Sequence, residues 1–213
     1  MIKAILTNTA TSLNRSNRCF TEMKIIYKPK FGSLIESLSA EFKDKIKPIP
    51  GSVLRCDLAG GANFLGGTLC HTGIYLGDDR IVEITKVGRK GLAKVHIVDP
   101  SDFLNGKGTN FVRTGINIYV ATDGEGHALG GEDIAKRALD YRIAHRSRGT
   151  YDLIDNNCHT FSVRCVSGVE PGDAQLTERD IESALKEKFG CSRVTWEPTG
   201  FSTVSLSFDD DND

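Results

Sequence analysis

Cys158 stands where a reactive thiol belongs. It follows Asn156-Asn157 and opens a short run, Cys158–Val166, whose spacing predicts a helix. Asn is a favoured helix cap. The unsatisfied N–H groups and the positive dipole end of a first turn stabilise a thiolate and lower its pKa. A thiol nucleophile also needs a base. His71 begins a predicted strand, His71–Leu76, and a regular strand puts His71, Gly73 and Tyr75 on one face. Glu83 lies on the predicted returning strand, Arg80–Ile84. The turn at Gly77-Asp78-Asp79 brings it close enough to orient the imidazole. A Cys–His pair with a third polar residue is the logic of a cysteine hydrolase. In that reading Cys158 attacks an acyl carbonyl, His71 accepts and returns the proton, and Glu83 holds the ring. The backbone N–H of Cys158 is a candidate oxyanion donor. His96, in the predicted strand Lys94–Val98, is the rival for the place of Glu83.

Each residue alone has a plainer reading. A free Cys is among the most buried residue types, His71 alone is a hydrogen-bonded strand residue, and Glu83 alone is a surface charge. Their order and their placement on a helix start and a hairpin favour catalysis. His127 falls in a Gly-rich loop and is read as solvated. His159 points about 100° around the helix from Cys158 and is not the expected base. Cys165, two turns on, is expected in the core. Cys70-His71 and Cys158-His159 are both Cys-His pairs, but neighbours on a strand face opposite ways and the spacings lack a zinc pattern. No metal and no cofactor are expected. The glycines of Ala59–Gly67 precede neither Lys-Ser nor a clear helix, so they form a loop beside the His strand and not a phosphate cradle.

The elements that must position these residues follow from pattern. Ser33–Lys45 reads as a helix with a capping box at Ser33 and Glu36, broken by Pro48-Ile49-Pro50-Gly51. Val53–Leu58, His71–Leu76, Arg80–Ile84, Lys94–Val98, Asn110–Thr114 and Ile116–Ala121 read as strands. Asp99-Pro100 is taken to end the fourth of these, and Thr122–Gly131 reads as a loop. Helices follow at Glu132–Arg146, Cys158–Val166 and Thr177–Phe189, the last with Thr177 and Asp180 in its N-terminal turn and Gly190 at its end. Helix, then strands, then helices is the α+β pattern.

Composition bounds the rest. The chain has 213 residues, with 27 Lys plus Arg against 28 Asp plus Glu, a formal charge of −1. That balance argues against a nucleic-acid partner. No segment approaches the ~20 apolar residues of a transmembrane helix, and the N-terminus is a poor secretory signal. The six cysteines include no C-x-x-C pair, so reduced thiols in the cytoplasm are expected. Arg142, Arg146 and Arg148 read as a solvated face that leaves peripheral membrane contact open.

Pro50-Gly51-Ser52-Val53-Leu54, His71-Thr72-Gly73-Ile74-Tyr75-Leu76-Gly77-Asp78 and Asn156-Asn157-Cys158-His159-Thr160-Phe161 occur in an order that resembles the lecithin:retinol acyltransferase-like (LRAT-like) family. That family is a circularly permuted branch of the NlpC/P60 papain-like superfamily, with the His strand before the Cys helix. The resemblance implies an α+β fold in which an antiparallel sheet packs on a nucleophile-bearing helix. It implies Cys158 as nucleophile, His71 as base and Glu83 at the third polar position, where animal members usually carry His. Animal members also read Asn-Cys-Glu-His-Phe where this chain has Asn157-Cys158-His159-Thr160-Phe161. The implied activity is a thiol hydrolase or acyltransferase acting on an ester or amide, a lipid acyl substrate being the family's best-known use. A peptidase or amidase, peptidoglycan-type or isopeptidase, is the alternative from the wider superfamily, and a non-catalytic binding module on the same fold is another. The expected organisation is a disordered extension or upstream read-through over 1–22, a helical extension over 23–48, the catalytic domain over 49–168, a second helical extension over 169–208 and an acidic tail over 209–213.

Overall fold

The computed structural model describes residues 45–58, 70–87, 92–106, 113, 117–145, 148–150, 157–171 and 176–202. The proposed extension over 1–22, nearly all of the Ser33–Lys45 helix, the Ala59–Gly67 loop and the acidic tail lie outside them. So does the Asn110–Thr114 strand apart from Arg113.

Strands β1 (Val53–Asp57), β2 (Cys70–Gly77), β3 (Arg80–Val87), β4 (Leu92–Val98), β5 (Asn117–Thr122), β6 (Arg148–Thr150) and β7 (Thr195–Ser202) form one antiparallel sheet, ordered β6-β4-β3-β2-β1-β5-β7. Four helices among the described residues accompany them: α1 (Pro100–Asn105), α2 (Glu132–Ala144), α3 (Cys158–Ser167) and α4 (Glu178–Phe189). The fold is α+β.

Side chains alternate between two cores, as the period of a strand requires. Val53, Ile74, Val82 and Ile84 pack with Ile134 of α2, Phe161 of α3 and Ile181 and Leu185 of α4. Leu54, Cys56, Tyr75 and Ile81 pack on the other face with Phe103 and Leu104 of α1. Both faces of β2 are therefore covered, and Cys70–Tyr75 is buried without a break. Between β2 and β3, Asp78 and Asp79 take positive φ of 50° and 55°. Two consecutive left-handed residues are the tight turn whose twist suits a hairpin, and Asp tolerates that conformation. The turn pairs Gly77 with Arg80, and a bulge between Tyr75 and Gly77 shifts the register by one residue, which sets Gly73 opposite Glu83 and turns Glu83 to the face of His71.

Four elements depart from the sequence reading, one being β6, which places Arg148 on a strand paired with β4. Asp99-Pro100 ends β4 but also starts α1: the Asp99 side chain accepts from the Asp102 N–H at 2.7 Å, with Pro100 in the first turn. The segment after Gly168 supplies a strand as well as a helix, because β7 pairs with β5 at the sheet edge. Pro198, opposite Tyr119, is tolerated there because an edge strand can forgo a donor. The helix expected over Glu132–Arg146 ends at Ala144.

Candidate active site

Cys158 is the first residue of α3. Asn157 caps the helix, its side-chain oxygen accepting from the Thr160 N–H at 2.8 Å. The helix is seated on β2, where the Thr72 hydroxyl donates to the Cys158 carbonyl at 3.0 Å and contacts Ser162 Oγ at 3.0 Å. The thiol is buried. The His71 imidazole and the Thr72 N–H act on it, and both favour the thiolate. Cys165, on the same helix, is fully buried, and burial pushes its thiol pKa up.

His71 is the second residue of β2, and its ring lies 5.3 Å from that of Phe103. Its Nε2 meets Glu83 Oε2 at 2.7 Å, which leaves Nδ1 as the nitrogen for the thiol. The hairpin register explains this contact, since Gly73 lies opposite Glu83 and His71 is two residues along on the same face. Gly73 has to lack a side chain. A Cβ there would stand 2.9 Å from Ile81 Cγ2 and from the Val82 carbonyl oxygen, and 3.0 Å from Phe103.

Glu83 is 1 % exposed and serves three donors. Besides His71, its Oε1 meets His96 Nε2 at 2.8 Å and its Oε2 accepts from Arg113 Nη1 at 2.8 Å. His96 stands opposite Glu83 on β4. It contacts the far oxygen of Glu83, so the residue placed against His71 is Glu83. Arg113 was not anticipated. It is bridged to Leu58, donates also to the Phe103 carbonyl oxygen, and lies over the Phe103 ring. The available signal was a cation inside the apolar Asn110–Thr114 stretch, which needs a buried anion as its partner.

The electrostatics follow from these contacts. Burial opposes ionisation of Cys158, but His159, His71, the His71 hydrogen bond and the Thr72 N–H outweigh it and bring the thiol down to about 5. Burial also disfavours the Glu83 carboxylate, yet His71, His96 and Arg113 hold its pKa well below the usual carboxylate range. For His71, burial and Arg113 favour the neutral ring, while Cys158 and Glu83 favour the cation and prevail, so its pKa is raised. A thiolate beside an imidazolium is the form these shifts favour at neutral pH, and it can attack an electrophilic carbon.

Cys70 and His159 do not join His71 and Cys158 in any metal-ligand cluster among the described residues. Cys70 lies on the other face of β2 from His71, where its sulfur meets His159 Nε2 at 3.4 Å. His127 is exposed in the β5–α2 loop and bonds Asp123 at 2.8 Å.

No curated protein and no solved structure matches the chain. A family model, that of lecithin retinol acyltransferase, matches residues 55–171, more than half of the sequence and a span that holds Cys158, His71 and Glu83. The chain belongs to the lecithin retinol acyltransferase family.

Proposed function

We propose that the protein is a cysteine-dependent hydrolase or acyltransferase that works through an acyl-thioester on Cys158. The observation that carries this reading is the His71 imidazole buried between the Cys158 thiol and the Glu83 carboxylate. The Cys158 thiolate attacks the carbonyl carbon of an ester or amide. The oxyanion that forms accepts from the Cys158 N–H, which the helix ladder leaves unused at its first position. The His71 imidazolium gives its proton to the departing alcohol or amine, and the thioester is left on Cys158. His71 then takes a proton from water or another acceptor as that nucleophile attacks, and the thiolate is regenerated. Glu83 fixes the His71 ring throughout, and this chemistry calls for no metal or cofactor.

A lipid acyl substrate is favoured by the family membership. The order of His strand before Cys helix supports the permuted papain-like arrangement. Glu83, standing where animal members usually carry His, favours amide or peptide cleavage as the second reading. No described helix is long and apolar enough to cross a membrane, and the five described cysteines are free. Both suit a cytoplasmic protein that meets lipid, if at all, at a membrane surface, and the charge balance suits one without a nucleic-acid partner.

The test is a panel of acyl esters, phospholipids and muropeptides, read by turnover and by intact mass, with Cys158→Ala as the blank. An adduct on the Cys158 peptide with lipid acyl donors supports the lipid reading, and turnover confined to muropeptides supports the second. Equal turnover by Cys158→Ala, or no adduct from any donor, refutes the thioester mechanism.

A further inference from the structure

Two imidazoles, not one, favour the thiolate of Cys158. His71 is locked between Glu83 and the thiol. His159 follows Cys158 directly, and its Nε2 lies 3.4 Å from Cys70 Sγ. Cys70 Sγ in turn lies 3.8 Å from Glu178 Oε2. The other oxygen of Glu178 pairs with Arg55 Nη1, whose guanidinium lies over the rings of Tyr119 and Trp196 at 5.4 and 5.6 Å. Arg55 also pairs with Asp57 at 3.6 Å. Burial, with Glu178 and Cys158 adding to it, keeps Cys70 a protonated thiol. A neutral thiol can donate its S–H to Glu178 and present sulfur lone pairs to an Nε2–H of His159. That contact fixes the direction of the ring.

We infer that Cys70 and Glu178 hold His159 beside the Cys158 thiolate as a second imidazole counter-charge. His159, Cys70 and Glu178 are positioning residues, because they act on the thiolate and not on the substrate. The array also extends the site beyond the family-matched segment. Glu178 belongs to α4, and Trp196, which covers Arg55, belongs to β7; both follow residue 171. The charged and titratable groups gathered around the Cys70–His159 contact are Cys158 on the helix of His159, Glu178 on α4, and Arg55 and Asp57 on β1. Arg55 offsets one of the two carboxylates.

The inference rests on Cys158 being the activated thiol, and one experiment separates the two. Iodoacetamide labelling of the Cys158 peptide is followed by mass spectrometry from pH 4 to 8 in the wild type, His159→Gln, His159→Lys and Glu178→Gln. A wild-type midpoint near 5 with an upward shift of about one pH unit or more in His159→Gln is the expected result. At pH 5 a shift of one unit reads as labelling about fivefold slower. His159→Lys restores the midpoint by restoring charge, and Glu178→Gln gives a smaller upward shift. An unchanged midpoint in His159→Gln overturns the inference and leaves the His71 reading standing. A wild-type midpoint in the ordinary thiol range overturns both. If His159→Gln does not fold, an unchanged midpoint in Glu178→Gln is the overturning result.

Discussion

Replacing Glu83 by Gln removes one charge and almost no volume, and its consequences can be worked from three contacts. The amide can turn its oxygen toward His71 Nε2 and Arg113 Nη1, which lie 2.7 and 2.8 Å from Glu83 Oε2, and its NH2 toward His96, whose neutral ring can accept. The geometry then survives, and what is lost is the carboxylate charge. Arg113 has a fully buried side chain, and two of its nitrogens, Nε and Nη2, have no partner among the described residues. Without Glu83 its charge is buried and uncompensated, which costs about 3–5 kcal/mol. At about 2–4 °C per kcal/mol for a domain of this size, the melting temperature falls by about 6–20 °C. Turnover falls by up to ~10^4-fold, as expected when the residue that orients a catalytic imidazole loses its charge. The companion variant Glu83→Gln/Arg113→Met removes both charges and recovers most of the stability, but it does not recover activity. Thermal melts and steady-state turnover on the four corners of this cycle provide the test. A single variant that melts within about 2 °C of wild type, or a double variant no more stable than the single, refutes the placement of Glu83 as the buried counter-charge.

Four further outcomes are expected. The Cys158 pKa is lowered, so the thiolate exists above about pH 5 and is lost below it; acyl transfer should rise through that range, and a rise centred near the ordinary thiol value would contradict the assigned pairing. The Glu83 pKa is also lowered, so its stabilising effect is complete above the ordinary carboxylate range and fades as pH falls through its depressed value; acid melts of the wild type and Glu83→Gln should therefore converge at low pH. Gly73→Ala places a Cβ within 3.0 Å of Ile81, Val82 and Phe103 and should destabilise by about 1–3 kcal/mol, measured by urea unfolding. Asn157→Ala removes the cap of the Cys158 helix and should cost about 1 kcal/mol, with slower alkylation of Cys158 as the first turn loosens.

The legible part of the site was local. Asn before Cys, His at a strand start and Asp-Asp at a turn each act within a few residues, but the bulge between Tyr75 and Gly77 that shifts the hairpin register and turns Glu83 toward His71 is not written in the turn. The Asp99-Pro100 pair was equally local, and it was read only as a strand end although Asp before Pro is also a helix start. Other features depend on contacts no spacing encodes. Arg113 is 30 residues from Glu83 in sequence, and nothing near it says which anion it meets. Strand β7 contains Pro198 and Gly200, both weak strand formers, and it exists because β5 offers a free edge. His159 was set aside because its helix angle turns it away from the base position. That argument places a side chain around its own helix but is silent about Cys70 on the neighbouring strand.

The buried charges explain why Glu83 needs Arg113. In the proposed reaction His71 must take a proton and later give it back. Glu83 alone would hold the proton on His71 and would leave the interior with a net negative charge. Arg113 neutralises that charge, and it also opposes protonation of His71, while Glu83 and Cys158 favour it. The carboxylate therefore orients the ring, and the guanidinium limits how tightly the ring keeps its proton. Thiol with imidazole and thiolate with imidazolium then carry the same net charge, so the proton can move between Cys158 and His71 without changing the charge of the buried cluster. Arg113→Met should consequently raise the His71 pKa and slow the step in which the proton is returned to the leaving group, even where thiolate formation remains complete.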